Sequence, residues 1–240
     1  MEVPTPHRNA GCSGYLVEQG GFRLLLDPGH ATLPTLLGCV GGADVDAVFI
    51  SHAHGDHCAD LNPLLRVRHL DPGKPPPLPL FGLRGSAEAV LALDADMRLD
   101  RDAVLHEMDP GDELSLGPFT LHTAGLAHFV DNLGVRLEGG GASLVYSGDG
   151  GADPALADLA ADATVLLTEA TFVDELPESV AGMLANAELA GNQAHRADVD
   201  RLVLTHLWPG ADPDTASVRA SSRYGGPIDV ATPGLSVEVP

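Results

Sequence analysis

The feature that most constrains this chain is a six-residue run, His52-Ala53-His54-Gly55-Asp56-His57, which sets three imidazoles and a carboxylate on one short loop. A single loop histidine is ordinarily solvated or hydrogen-bonded to a neighbour. Three beside an aspartate behave differently: protonated, they repel one another, and neutral, they form a ligand set that borderline divalent cations take. Residues 45–51, VDAVFIS, stand directly before the run and read as a short buried strand. The ligand loop therefore leaves the C-terminal edge of a strand, and any fold must carry the cation's remaining ligands to that edge.

Further strands end at polar residues of the same kind. Residues 15–27 read as a hairpin around Gly20-Gly21 that closes on Asp27, followed by Pro28-Gly29. Residues 113–123 and 133–147 alternate apolar and polar positions, the second with a turn at Gly139-Gly140-Gly141, and lead to Asp149. Residues 163–168 run into Glu169, and residues 201–205 into His206. Helices are predicted near residues 86–93, with Ser86 as N-cap, over 185–197 and over 212–223, and a last strand pair over 227–239. The proline-dense residues 71–79 form a surface connection. Strands, hairpins and crossover helices alternate with no long linker, which predicts one α/β domain over residues 1–240.

Composition narrows the function. Among 240 residues, 13 Lys and Arg face 34 Asp and Glu, a formal charge of −21, and Lys74 is the one lysine. Coating a nucleic-acid backbone requires a basic surface that this chain lacks. At 44% hydrophobic it has ample material for a core. Cys12, Cys39 and Cys58 are odd in number and have no CxxC spacing, which argues against a disulfide framework or a zinc knuckle. The opening residues show no secretory pattern and no apolar run reaches membrane-spanning length, so a cytoplasmic protein without membrane contact is expected.

The run HAHGDH resembles the HxHxDH signature of the metallo-β-lactamase-fold hydrolases. Other stations of that family follow in order: Asp27 in LLLDPG, His128 in AHFVDNLGVRLE, Asp149 in YSGDG and His206 in LVLTHLWP. The resemblance implies a four-layer αβ/βα sandwich. It also implies two divalent ions, zinc by ligand type, with manganese or iron as alternatives. By that resemblance His52, His54 and His128 bind one ion, Asp56, His57 and His206 bind the other, and Asp149 bridges them. A hydroxide shared between the ions is then the nucleophile, Asp56 also orients and deprotonates the water, and Asp27 orients a ligand loop. His7, His30, His69, His106 and His195 match no station. His122 is a candidate for support near His128, and Cys58 for a buried small side chain.

Within the family, SGD, TEATF and LVLTHLWP resemble the ribonuclease Z, cyclic-nucleotide phosphodiesterase and arylsulfatase branch, where Glu169 would serve a proton relay at the leaving group. Two departures bear on the reaction. Counting back 22 residues from His206, ribonuclease Z-type enzymes carry a histidine, and here the position is Leu184. The glycine-rich RNA-gripping arm of the tRNA-processing enzymes is missing between His128 and Asp149. A small-molecule substrate is therefore expected, most readily a phosphodiester such as a cyclic nucleotide. A sulfatase- or lactonase-type ester hydrolase and a weakly catalytic metal-binding module are the competing readings. Relatives usually open with an apolar strand before the segment matching GCSGYLVE, where this sequence has MEVPTPHRNA. A missing edge strand would leave an edge to be covered, for instance in a homodimer.

Overall fold

The computed structural model of the chain describes residues 11–239, so His7 and the expectation about an opening strand lie outside the described residues. The described residues fall into two units, Met1–Met108 and Asp109–Pro240. In the first, Gly20 and Gly21 both take positive φ, 59° and 86°, as a two-residue hairpin turn demands. They join β1 (Tyr15–Gln19) antiparallel to β2 (Phe22–Leu26). The chain continues through α1 (Leu33–Cys39), β3 (Ala47–Ile50), α2 (Gly55–Cys58), α3 (Leu61–His69), β4 (Leu78–Gly82), α4 (Glu88–Leu91) and β5 (Ala103–Glu107). The sheet order is β1-β2-β3-β4-β5, parallel from β2 onward.

Parallel strands covered on both faces carry continuous apolar runs, and all four residues of β3 are buried. Leu61, Leu64 and Leu65 of α3 form one helical stripe in the same cluster as Val48, Ile50, Leu78 and Leu80. Pro63 sits in the first turn of α3, where its missing N–H forfeits no helical hydrogen bond. Arg68, on the last turn, is buried and donates to the carbonyls of Gly42 (2.9 Å), Val45 (3.0 Å) and Pro76 (2.9 Å). It thereby pins the loop before β3 and the proline-rich loop before β4 to one helix. Ser86 is not the N-cap of α4: the helix starts at Glu88, and the Glu88 carboxylate reaches back to accept from the N–H groups of Gly85 and Ala87. Ala87 therefore stands at the N-cap without a side-chain cap, and the Glu88 carboxylate ties down the turn that leads into the helix.

The second unit holds β6 (Glu113–Leu116), β7 (Phe119–Leu126), β8 (Asn132–Gly139), β9 (Ala142–Tyr146), α5 (Pro154–Leu159), β10 (Val165–Glu169), α6 (Ala187–Arg196), β11 (Arg201–Thr205), α7 (Pro213–Ser221) and β12 (Ile228–Val230). Strands β6 to β9 form an antiparallel meander, and β9 to β12 continue parallel, in the order β12-β11-β10-β9-β8-β7-β6. Its core is rich in alanine: Ala187, Ala190 and Ala194 of α6 with Ala216 and Ala220 of α7. These small faces let the helices approach so closely that a Cβ on Gly191 would strike the Ala220 carbonyl. Asn186 and Asp212 cap α6 and α7 by accepting from Leu189 N–H and Thr215 N–H. The final strand pair predicted from sequence reduces to β12 alone. Pro233-Gly234 turns the chain, with Gly234 at φ 85° and Leu235 N–H donating to the Thr232 carbonyl, so residues 233–239 add no second strand.

Candidate metal centre

Asp27, His52, Asp149, Glu169 and His206 lie at or just beyond the C-terminal ends of strands that have a parallel neighbour, while His128 follows β7 of the antiparallel meander. In the first unit, His52 leaves β3, and α2 begins one residue after His54, which places Asp56 and His57 side by side on its first turn. Asp27 follows β2 with φ 53°, a left-handed backbone that aspartate tolerates. Its N–H donates to the Phe49 carbonyl (2.9 Å), which fixes it against β3. The next residues run against α2 so tightly that a Cβ on Gly29 would collide with the carbonyl oxygens of Asp56 and Ser13. This glycine is required by the close approach, whatever its backbone angles.

Asp27 is fully buried and serves several donors at once. Its Oδ1 accepts from Ser51 N–H (2.7 Å), and its Oδ2 accepts from Ser51 Oγ–H (2.6 Å) and from His57 Nδ1–H (2.7 Å). Ser51 Oγ also meets His52 Nδ1 at 3.0 Å. Since the hydroxyl's one proton goes to the carboxylate, His52 Nδ1 must be the donor in that contact. Both imidazoles are thereby set with Nδ1 protonated and Nε2 carrying the lone pair. His52 Nε2 lies 3.0 Å from His54 Nδ1, and His57 Nε2 lies 3.8 Å from Asp56 Oδ2.

The second unit repeats this logic. His206 follows β11 with φ 58°, a strained backbone for a histidine. Its Nδ1 lies 3.0 Å from Thr171 Oγ1, and that hydroxyl donates to Glu169 Oε2 at the end of β10. The other Glu169 oxygen accepts from Gly150 N–H (2.6 Å). Asp149 Oδ2 lies 3.3 Å from His206 Nε2 and 3.8 Å from His128 Nε2. His128 Nδ1–H donates to the Met183 carbonyl (2.9 Å). The amide of Asn132, the first residue of β8, donates to the carbonyls of Ser147 (3.1 Å) and Asp149, which holds the SGD loop to the meander.

The fields of the two units are negative. Burial first, then Asp56, pushes the Cys12 thiol up to about 11, and burial, then Asp27, pushes Cys58 to about 11. Burial, followed by the charge of Asp149, raises the Glu169 carboxyl to about 8, against the pull of His206 and its two donors. Buried carboxylates beside imidazole lone pairs are a mixed oxygen and nitrogen donor set of the kind that divalent cations take. The residues fit a metal: within the first unit His52 and His54 offer neighbouring nitrogens and Asp56 and His57 an oxygen and a nitrogen, and within the second Asp149 and His206 do the same.

Other candidates have different duties. His122 faces Glu113 (3.5 Å) and Glu138 (3.8 Å) across the meander, opposite Arg136, which also pairs with Glu138. Cys58 is buried in the first unit's apolar cluster, with its thiol toward the Ala53 carbonyl. Leu184 is buried and brings no proton donor, while its neighbour Met183 supplies the carbonyl that aims His128. Sequence reasoning missed Ser51, Thr171 and Asn132. Ser51 and Thr171 stand next to motif residues, in SHAHGDH and TEATF, and adjacency to a ligand or acid was their one readable signal. Asn132 had none.

Comparison with known proteins agrees with this geometry. Residues 9–207 match the β-lactamase superfamily domain. A curated relative, the "probable metallo-hydrolase" YhfI of Bacillus subtilis, is 30% identical over 233 residues, covering 96% of this chain and 93% of its own. Ribonuclease Z of Myxococcus xanthus is 29% identical over 293 residues, covering 99% and 94%. The crystal structure of YhfI, a metallo-β-lactamase fold protein, superposes with a TM-score of 0.86 at 29% identity over 96% of this chain and 92% of that one. The short-form human tRNase Z reaches 0.80 at 21% identity over 100% and 96%, a likeness of fold. With the strand-end histidines and aspartates in place, the chain belongs to the β-lactamase superfamily, as a metallo-hydrolase of the metallo-β-lactamase fold.

Proposed function

We propose that the chain hydrolyses a small phosphodiester, such as a cyclic nucleotide, at two divalent cations, zinc by ligand type. His52, His54 and His128 would hold one cation, Asp56, His57 and His206 the other, with Asp149 shared. The observation that carries the reading is the fixed orientation of the imidazoles: the Nδ1 atoms of His52, His57, His128 and His206 are each engaged by Ser51, Asp27, the Met183 carbonyl and Thr171. Bound cations would supply Lewis acidity toward the phosphoryl oxygen and lower the pKa of the attacking water.

The chain's own residues set the rest. Asp56, buried on the first turn of α2, would orient the attacking water and take its proton. Glu169, raised to about 8 by burial and the charge of Asp149, would hold a proton for a relay at the leaving group, and the Thr171 hydroxyl links it to His206. Leu184 gives no proton to the leaving oxygen, which favours diesters with a leaving group that departs without one. Phosphodiester chemistry is supported by the TEATF and SGD sequences and by the 29% identity to a ribonuclease Z. The −21 charge and single lysine favour a small diester over RNA.

The test is a set of paired assays of the metal-loaded protein on an aryl phosphodiester, an aryl sulfate and a lactone. The expected result is turnover of the phosphodiester, abolished in His54→Ala and Asp149→Ala. Turnover of the sulfate or lactone alone would assign a different ester, and turnover of none with metal retained would assign a binding module.

A further inference from the structure

The second unit carries an open cleft of about 460 Å³ between the segment after β10 and the segment after β11. That volume lies within the range of small-molecule sites. Phe172 and Trp208 line it, their ring planes within 10° of parallel and their centroids 6.0 Å apart. Both rings are half-buried, so part of each remains open to the cleft. Their backbones are fixed: Trp208 N–H donates to the Thr171 carbonyl (2.9 Å), Phe172 N–H to the Ala185 carbonyl (3.2 Å), and the Phe172 carbonyl accepts from Ala187 N–H (2.9 Å). A preset aromatic surface loses little freedom when a flat ring stacks on it.

The cleft also has a defined charge. Asp174, Glu175 and Asp212 line it, and among the described residues no Lys or Arg does. Arg219 meets Asp174 (2.6 Å) without itself lining the cleft. Asp174 is paired with Arg219, and one Asp212 oxygen accepts from Thr215 as the cap of α7, so Glu175 and the second Asp212 oxygen are the acceptors this rim offers to the electropositive N–H edge of a heterocycle. Thr171 also lines the cleft and its hydroxyl meets His206, so the cleft shares a wall with a residue that touches a proposed metal ligand.

We propose that this cleft binds the base of the substrate: a planar heterocycle bearing N–H donors, a purine, stacked on Phe172 and Trp208 with its amino edge toward the acidic rim. The proposal rests on the phosphodiester reading for the rest of the substrate and narrows it to a purine nucleotide diester. The phosphate stays outside the cleft and the base inside it, which separates recognition from reaction.

Trp208 is the single tryptophan of the chain, so its emission reports on the cleft alone. The protein is titrated with adenosine, which carries the base and no phosphate, with excitation beyond the absorption of adenosine and ribose as the control. Saturable quenching by adenosine and none by ribose is expected. Phe172→Leu should weaken the adenosine response roughly tenfold, the scale of one stacked base, and Phe172→Tyr should restore it. No saturable response, or an unchanged affinity in Phe172→Leu, overturns the proposal. Failure of the phosphodiester reading shows separately, as an intact adenosine response in a metal-loaded protein that turns over no diester.

Discussion

At the scale of single residues, the candidate site is a set of imidazoles aimed by what their far nitrogens hold. Thr171 is the sharpest case, since one hydroxyl links His206 to Glu169. Replacing the partner that orients a metal-binding histidine typically weakens metal binding by about 10- to 100-fold. Thr171→Val, which keeps the shape and removes the hydroxyl, should show a loss of that size in competition with a chromogenic chelator, and Thr171→Ser should recover most of it. Equal affinity in Thr171→Val would remove the hydroxyl from the account. The thiols give a second prediction. Thiolate is the reactive form, and pKa values raised from 9.0 to about 11 at Cys12 and Cys58 leave little of it at pH 8. Cys39 is exposed, so an alkylating reagent at pH 8 should label one cysteine per native chain, with Cys12 and Cys58 reacting faster as the pH rises toward 11. Labelling of Cys58 as fast as Cys39 would contradict the buried field. Much of the site was readable because HAHGDH is contiguous. The Ser51–Asp27 and Thr171–His206 pairs were not, since 24 and 35 residues separate the partners and only folding brings them together.

At the scale of elements, glycine pairs made the hairpins legible: Gly20-Gly21 has no competing local structure, and the 139–141 turn joins β8 to β9 as expected. Helices shorter than three turns were harder. Neither α1 nor α5 exceeds seven residues, and α3 hides behind Pro63, so too few turns exist for a period to stand out. The terminal strand was overextended because residues 235–239 alternate like a strand, yet Pro233-Gly234 ends the pairing. Arg68 shows an element-level dependence that sequence could not reveal, a cation buried as a clasp for loop carbonyls rather than as an ion-pair partner. Arg68→Met would leave those carbonyls without their donor, and hydrogen bonds from a charged group are individually worth about 1.5–3 kcal/mol. A loss on the order of 3 kcal/mol is expected in urea unfolding. A midpoint unchanged from the parent would mean that water replaces the guanidinium freely.

At the scale of the whole molecule, part of the chain's acidity is gathered inside its two units. Asp27, Asp56, Asp149 and Glu169 are buried, and a chain with one lysine has few cations of its own to set against them. Among the described residues no helix is long and apolar enough to cross a membrane. The proposed cation pair would take its ligands from residues as distant in sequence as His52 and His206. The measurement that tests this most directly is phosphodiester turnover by the metal-stripped chain as zinc or manganese is added back. Activity is expected to rise to a plateau at two equivalents per chain. A plateau at one equivalent, or turnover without added metal, would contradict it.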